Sequence, residues 1–165
     1  MDETAEYCRP ASLADLKALI VALNEQQVDY LLIGGYALFV HGYHRATTDI
    51  DVLVPATLES GNKVKSALML LPDQAAKDLE PCWFAEGENI RVADAFLVDV
   101  MVNACGETYD TLKQFAVTVD LEGVPVQTVS LEGLLRTKQT LRDKDVADRH
   151  VLERALALFS AQAKT

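Results

Sequence analysis

The sequence predicts an α/β domain of the α+β kind: a mixed sheet of about five strands flanked by helices, followed by a helical C-terminal segment. Three observations carry this. Segments of helical period alternate with short runs in which apolar and polar residues alternate. FAVTVDLEGVPVQTV, residues 115–129, reads as a hairpin turning near Leu121–Gly123. From Leu134 to Thr165 no Gly or Pro interrupts the chain.

The elements follow in order. Ser12 and Asp15 resemble an N-cap with an acid in the first turn, and Leu13, Leu16, Ile20 and Leu23 recur at helical spacing to about Gln27. Residues 29–33 form a strand that ends at Gly34-Gly35, and Ala37–His41 a short helix stopped by Gly42. Ile50–Val54 is a second strand, stopped by Pro55. Thr57 caps a helix carrying Val64, Leu68 and Leu71 and ending at Pro72. Residues 73–87 show no period and read as loop. Asn89–Ala93 and Phe96–Val102 are strands, and a short helix fits 108–115. Ser130, with Glu132 behind it, opens the C-terminal helical region, which has room for a break near Asp143–Asp145.

A chain of 165 residues fits one domain, 1–165, with 130–160 packed on it as a helical segment. A domain of this size buries roughly 68–70% of its unfolded surface, so neither disulfide nor structural metal is needed. Cys8, Cys82 and Cys105 are odd in number and far apart, which reads as free thiols in a reducing compartment. The acidic start MDETAEYCRP is unlike a signal peptide, and no apolar run approaches the ~20 residues that span a bilayer. A cytoplasmic protein without a membrane partner is expected. The net charge of −10 argues against extended nucleic-acid binding, which needs clustered cations. The one basic segment is Arg136–Arg154, where Arg136, Lys138, Arg142, Lys144, Arg149 and Arg154 outnumber four acids.

Asp49 and Asp51 interrupt a strand whose Ile50, Val52 and Val54 face the core. Residues i and i+2 of a strand share a face about 6.6 Å apart. Two charges at that distance repel by roughly 2.5 kcal/mol at an effective dielectric of about 20, a large part of a domain's ~5–15 kcal/mol stability. A solvated edge face is one explanation; a hard divalent cation such as Mg²⁺, held as in two-metal phosphoryl-transfer sites, is the other. Asp99 bears on the choice, because it is a lone charge in the apolar strand DAFLVDVMVN. Pairing the two strands gathers all three acids round one cleft, and that reading is favoured. Gly34-Gly35, just before a short helix, is a tight turn or a seat for phosphate groups. With Mg²⁺ bridging, the same acids would anchor a triphosphate they otherwise repel.

Gly34-Gly35, thirteen residues, then Asp49-Ile50-Asp51, with Asp99 on a later strand, resembles the nucleotidyltransferase superfamily that includes DNA polymerase β. Gly42-Tyr43-His44-Arg45-Ala46-Thr47-Thr48-Asp49 and the C-terminal Ser130, Leu134-Leu135, Lys138, Arg142, Asp145 and Asp148 are similar to its compact bacterial branch. That branch includes abortive-infection and toxin–antitoxin nucleotidyltransferases and antibiotic-modifying enzymes. The resemblance covers about residues 13–158. It implies a nucleotidyltransferase fold, Asp49, Asp51 and Asp99 as catalytic metal ligands, and Asp99 helping to deprotonate an acceptor hydroxyl. It implies Gly34 and Gly35 as the donor-phosphate seat; Arg45, Thr48, Lys138 and Arg142 are further donor-binding candidates from their places in the sequence. Many members carry Ser at the second glycine position; Gly35 has no hydroxyl, so backbone N–H groups must make that contact.

If residues 134–156 form one helix, Lys138, Arg142, Asp145 and Arg149 fall within about 60° of each other, with Leu134, Leu141, Leu152 and Leu156 in or near that sector. Either Lys138 and Arg142 reach the triphosphate or acceptor, with Asp145 orienting Arg142 or Arg149, or the charges form a salt-bridge cluster that docks the helix. Arg45 either binds phosphate or braces its loop. His41 and His44 lack a third ligand and read as packing, with Tyr36 and Phe39; Trp83 and Phe84 read as lid or core before base-stacking groups.

The expected activity is Mg²⁺-dependent transfer of a nucleoside monophosphate from a nucleoside triphosphate to an unidentified hydroxyl on a small molecule, protein or tRNA. The rivals are a non-catalytic module of the same fold, for example within a toxin–antitoxin pair with a cognate protein partner, and a metal phosphohydrolase.

Overall fold

The computed structural model describes residues 9–45, 47–140 and 142–163, with side chains as far as Ser160. Cys8, Ala46 and Leu141 lie outside them; Cys82 and Cys105 are free thiols.

Helix α1 (Leu13–Glu25) starts at a capping box in which the Ser12 hydroxyl accepts the Asp15 N–H and the Asp15 carboxylate accepts the Ser12 N–H. Its Leu16, Leu19, Ile20 and Leu23 are buried. Strand β1 (Leu31–Ile33) leads into α2 (Gly34–Val40) and then β2 (Asp49–Leu53). Helix α3 (Leu58–Leu68) is capped by Thr57, whose hydroxyl accepts the Ser60 N–H. After α4 (Cys82–Ala85) come β3 (Ile90–Ala93), β4 (Leu97–Met101) and α5 (Tyr109–Leu112). The hairpin of β5 (Ala116–Leu121) and β6 (Val124–Val129) precedes α6 (Leu131–Arg136) and α7 (Asp143–Ala163).

The strands form one sheet in the order β3-β4-β2-β1-β6-β5. The β2–β4 and β1–β6 pairs are parallel and the others antiparallel. The mixed sheet of about five strands expected has six, both arms of the hairpin included. Its two-residue turn, Glu122-Gly123, has positive φ at both positions (50° and 91°), the twist that suits a tight hairpin.

Burial fixes the register at the centre. Ile50, Val52, Val98 and Val100 are fully enclosed, while Asp49, Asp51 and Asp99 on the alternate positions are partly exposed. Enclosing each aliphatic side chain contributes about 1.5–3 kcal/mol, and a one-residue slip would bury the aspartates instead.

Four expectations are corrected. Helix α2 begins at Gly34, not Ala37, with Gly34 itself at φ +74°. Residues 73–87 hold a 3₁₀ turn (Ala75–Asp78) and α4, because the Asp94 carboxylate accepts the Asp73 and Ala75 N–H groups and Phe84 is buried. The 108–115 helix is one α turn, α5, continued by a 3₁₀ turn over Lys113–Phe115. Of the two readings of residues 134–156, the broken one holds, with the break longer than the Asp143–Asp145 expected: α6 stops at Arg136 and α7 starts at Asp143. The break has a cause. The Arg149 guanidinium donates to the carbonyls of Lys138 (2.5 Å) and Thr140 (2.6 Å), which takes two acceptors from a helix ladder, and the Thr140 hydroxyl donates to the Asp145 side chain (2.5 Å) at the start of α7. Among the described residues no helix is long and apolar enough to cross a membrane.

Candidate active site

The parallel pairing of β2 with β4 places Asp51 directly opposite Asp99, with Asp49 two residues earlier on the same face. All three line one cleft of about 250 Å³, whose other walls include Asn89, Arg91, Arg142 and Lys144. Burial, the charge of Asp99, a hydrogen bond shared with it and the charge of Asp49 push the Asp51 carboxyl up to about 7, against the opposing pull of Lys138. At neutral pH the metal-free cluster therefore holds part of its charge back as a bound proton.

The remaining oxygens have partners. The Thr48 hydroxyl donates to Asp49 Oδ1 at 2.7 Å. Arg91 forks onto Asp99 through Nε (2.8 Å) and Nη2 (3.1 Å), and Nη2 also reaches Asp49 Oδ2 at 3.2 Å. Among the described residues no three His, Cys, Asp or Glu side chains form a ready-made metal cage. The donor set still fits a hard divalent cation: it is all carboxylate oxygen, and it already draws a cation, the Arg91 guanidinium, onto two of its members.

The glycine pair lies against these acids. A Cβ on Gly34 would overlap Asp51 Oδ2 and stand 3.0 Å from its Cγ, so the backbone approaches the carboxylate as only glycine allows. A Cβ on Gly35 would meet Thr47 Oγ1 at 2.7 Å and Arg45 Nη1 at 3.0 Å. The Thr47 hydroxyl thus crowds the place where a side chain at position 35 would start.

Behind the cleft, Arg45 makes a bidentate pair with Asp148 of α7 (2.8 and 2.9 Å), which ties its loop to that helix. Lys138, only 6% exposed, lies 3.0 Å from Asp148 Oδ2 and 3.7 Å from Asp145 Oδ1. Arg142 pairs with Asp145 at 2.9–3.0 Å yet is 63% exposed and reaches the cleft. Although burial opposes it, hydrogen bonds from Thr140 and Arg142 hold the Asp145 carboxyl below its ordinary value, and those from Arg45 and Lys138 do the same for Asp148. The four residues expected on one helical sector do come together, but through the break between α6 and α7.

Other candidates lie elsewhere. His41 Nε2 is 2.7 Å from the Val129 carbonyl, His44 stacks on Phe39 at 4.5 Å, and Phe84 is buried. Trp83 lines a neighbouring recess that shares Ile90 and Arg91 with the acid cleft. Sequence reasoning missed Arg91, Asn89 and Lys144. Arg91 carried the same signal as Asp99, a lone charge in an apolar strand, but its partner depends on strand order.

No protein-family model matches the chain, and no curated protein does. A solved structure is similar over 93% of both chains with a TM-score of 0.55 and 15% identity: the Thermotoga maritima protein described as a "putative nucleotidyltransferase (TM1012)". The chain has the nucleotidyltransferase fold.

Proposed function

We propose that this protein is a divalent-metal-dependent nucleotidyltransferase that moves a nucleoside monophosphate from a nucleoside triphosphate to an acceptor hydroxyl in the cytoplasm. The observation that carries the reading is the convergence of Asp49, Asp51 and Asp99 from two parallel-paired strands on one cleft that also holds Arg142 and Lys144. Asp49, Asp51 and Asp99 would hold Mg²⁺. Bound there, the metal supplies charge neutralisation at the donor phosphates and at the entering hydroxyl. Asp99, paired opposite Asp51 on the neighbouring strand, would accept the hydroxyl proton. Arg142 and Lys144 draw in the triphosphate tail. The Gly34-Gly35 backbone seats it, with Thr48 fixing Asp49 and Arg45 and Lys138 steadying the wall behind. The hydroxyl can belong to a small molecule, a protein side chain or a tRNA end; the charge of −10 disfavours the last.

One observation favours a second reading. Arg91 already neutralises Asp49 and Asp99, as a non-catalytic module of this fold, for example one half of a toxin–antitoxin pair, would need. Calorimetric titration of ATP or CTP with Mg²⁺ into the wild type and an Asp49→Ala/Asp51→Ala variant decides between them. Metal-dependent triphosphate binding that the variant loses supports the enzyme. No binding to either protein sinks it.

A further inference from the structure

Arg91 is the strongest unassigned feature near the acids. It lies on β3, the edge strand, directly across from Asp99 in the antiparallel register, so both side chains leave the sheet on one face. Its guanidinium contacts two of the three carboxylates at 2.8–3.2 Å while its side chain stays 55% exposed; Asp49 and Asp99 are only 22% and 19% exposed. The planar fork matches a carboxylate and stays charged at every relevant pH. It therefore holds both Asp99 oxygens and Asp49 Oδ2 with a cation that cannot be neutralised, only moved. There is space for movement, because Arg91 is a shared wall of the acid cleft and of the adjoining recess lined by Ala75, Leu79 and Trp83.

We propose that Arg91 is a resident counter-cation of the carboxylate cluster, which holds Asp49 and Asp99 in the metal-free protein and which a divalent cation must displace. The proposal rests on the metal-binding reading of the acids given above. It makes metal affinity a competition. An exposed ion pair is worth up to about 1 kcal/mol, about fivefold in affinity, and a fork shared between two carboxylates lies at or above that limit.

The test is Mn²⁺ titration followed by electron paramagnetic resonance of the free ion, with wild type, Arg91→Gln and Arg91→Lys, each first checked for a cooperative melt. Arg91→Gln is expected to bind Mn²⁺ at least about fivefold more tightly than the wild type. Arg91→Lys, which keeps the charge without the fork, should fall between them. In the wild type, diamagnetic Mg²⁺ should shift the Arg91 Nε–H resonance as the fork opens, a readout that needs no variant to fold. Equal or weaker Mn²⁺ binding by Arg91→Gln, or an Arg91 resonance that ignores saturating Mg²⁺, overturns the proposal and leaves the metal site standing. If no protein binds Mn²⁺, the metal reading falls and the proposal falls with it.

Discussion

Asp51 and Asp99 face each other across a parallel strand pair, and their carboxyls are close enough to share a proton. The protein tolerates this by raising one of them: Asp51 keeps its proton up to about 7 in the folded state, whereas an unfolded aspartate loses it near 3.8. Between those values the folded state binds the extra proton, so stability contributed at this site falls as pH rises. Asp51→Asn removes the effect. In EDTA, the variant should gain on the wild type progressively from pH 4 to pH 7, by a few kcal/mol at most, and show no advantage at pH 4. Urea melts across that range measure it. A constant difference would mean that Asp51 titrates normally.

Gly34 makes the approach to Asp51 possible, and the substitution that tests it is small. Alanine at this position must hold φ near +74° and place a methyl group against the Asp51 carboxylate. Strain of this kind costs about 1–3 kcal/mol per residue. Gly34→Ala is therefore expected to lower stability by about that amount and to abolish metal-dependent triphosphate binding, since Asp51 must move. Asp51→Asn/Gly34→Ala should be no more stable than Gly34→Ala in acid, where the Asp51 carboxyl is already neutral. Chemical denaturation and calorimetry on the three proteins check it.

Much of the architecture was legible because it depends on local signals. The alternation around Ile50 and Val98, the Ser12 cap, the Glu122-Gly123 turn and the pair Asp49/Asp51 all speak within a few residues. What failed depended on partners far away in sequence. The C-terminal helical region had room for a break only near Asp143–Asp145, yet the first helix stops at Arg136, and Arg149 takes the carbonyls of Lys138 and Thr140 in the segment that follows. The site divided the same way. The acids and glycines were readable as a motif, whereas Arg91 acquires its meaning only when β3 lies beside β4.

The same dependence explains why glycine stands at position 35. A Cβ there collides with Thr47 Oγ1 and crowds Arg45 Nη1, so a hydroxyl is already present from another residue. Gly35→Ser alone is expected to cost about 1–3 kcal/mol, as overpacking of a tight site does, and to weaken triphosphate binding. Gly35→Ser/Thr47→Ala exchanges one hydroxyl for another and should recover most of both losses. The coupling between the two positions should exceed about 0.5 kcal/mol in thermal or urea melts. Additive losses would show that Thr47 and position 35 do not compete for one place.

Lys138 offers the sharpest test of how α7 is held. It is buried between Asp145 and Asp148, whose carboxyls are held below their ordinary values. Groups lowered in this way contribute stability that is present above their unfolded value and lost as pH falls through the folded one. Removing the cation leaves the two buried carboxylates to Arg45, Arg142 and the Thr140 hydroxyl, and breaking a buried pair costs about 3–5 kcal/mol. Lys138→Met should therefore lose about that much at pH 7, and the gap should narrow toward pH 3 as the acids protonate. Lys138→Met/Asp148→Asn should regain part of the loss, because one uncompensated charge goes with its partner. Urea melts at pH 3, 5 and 7 read all of this. A Lys138→Met protein that melts like the wild type would leave Lys138 free for the donor phosphates and would end its role in docking α7.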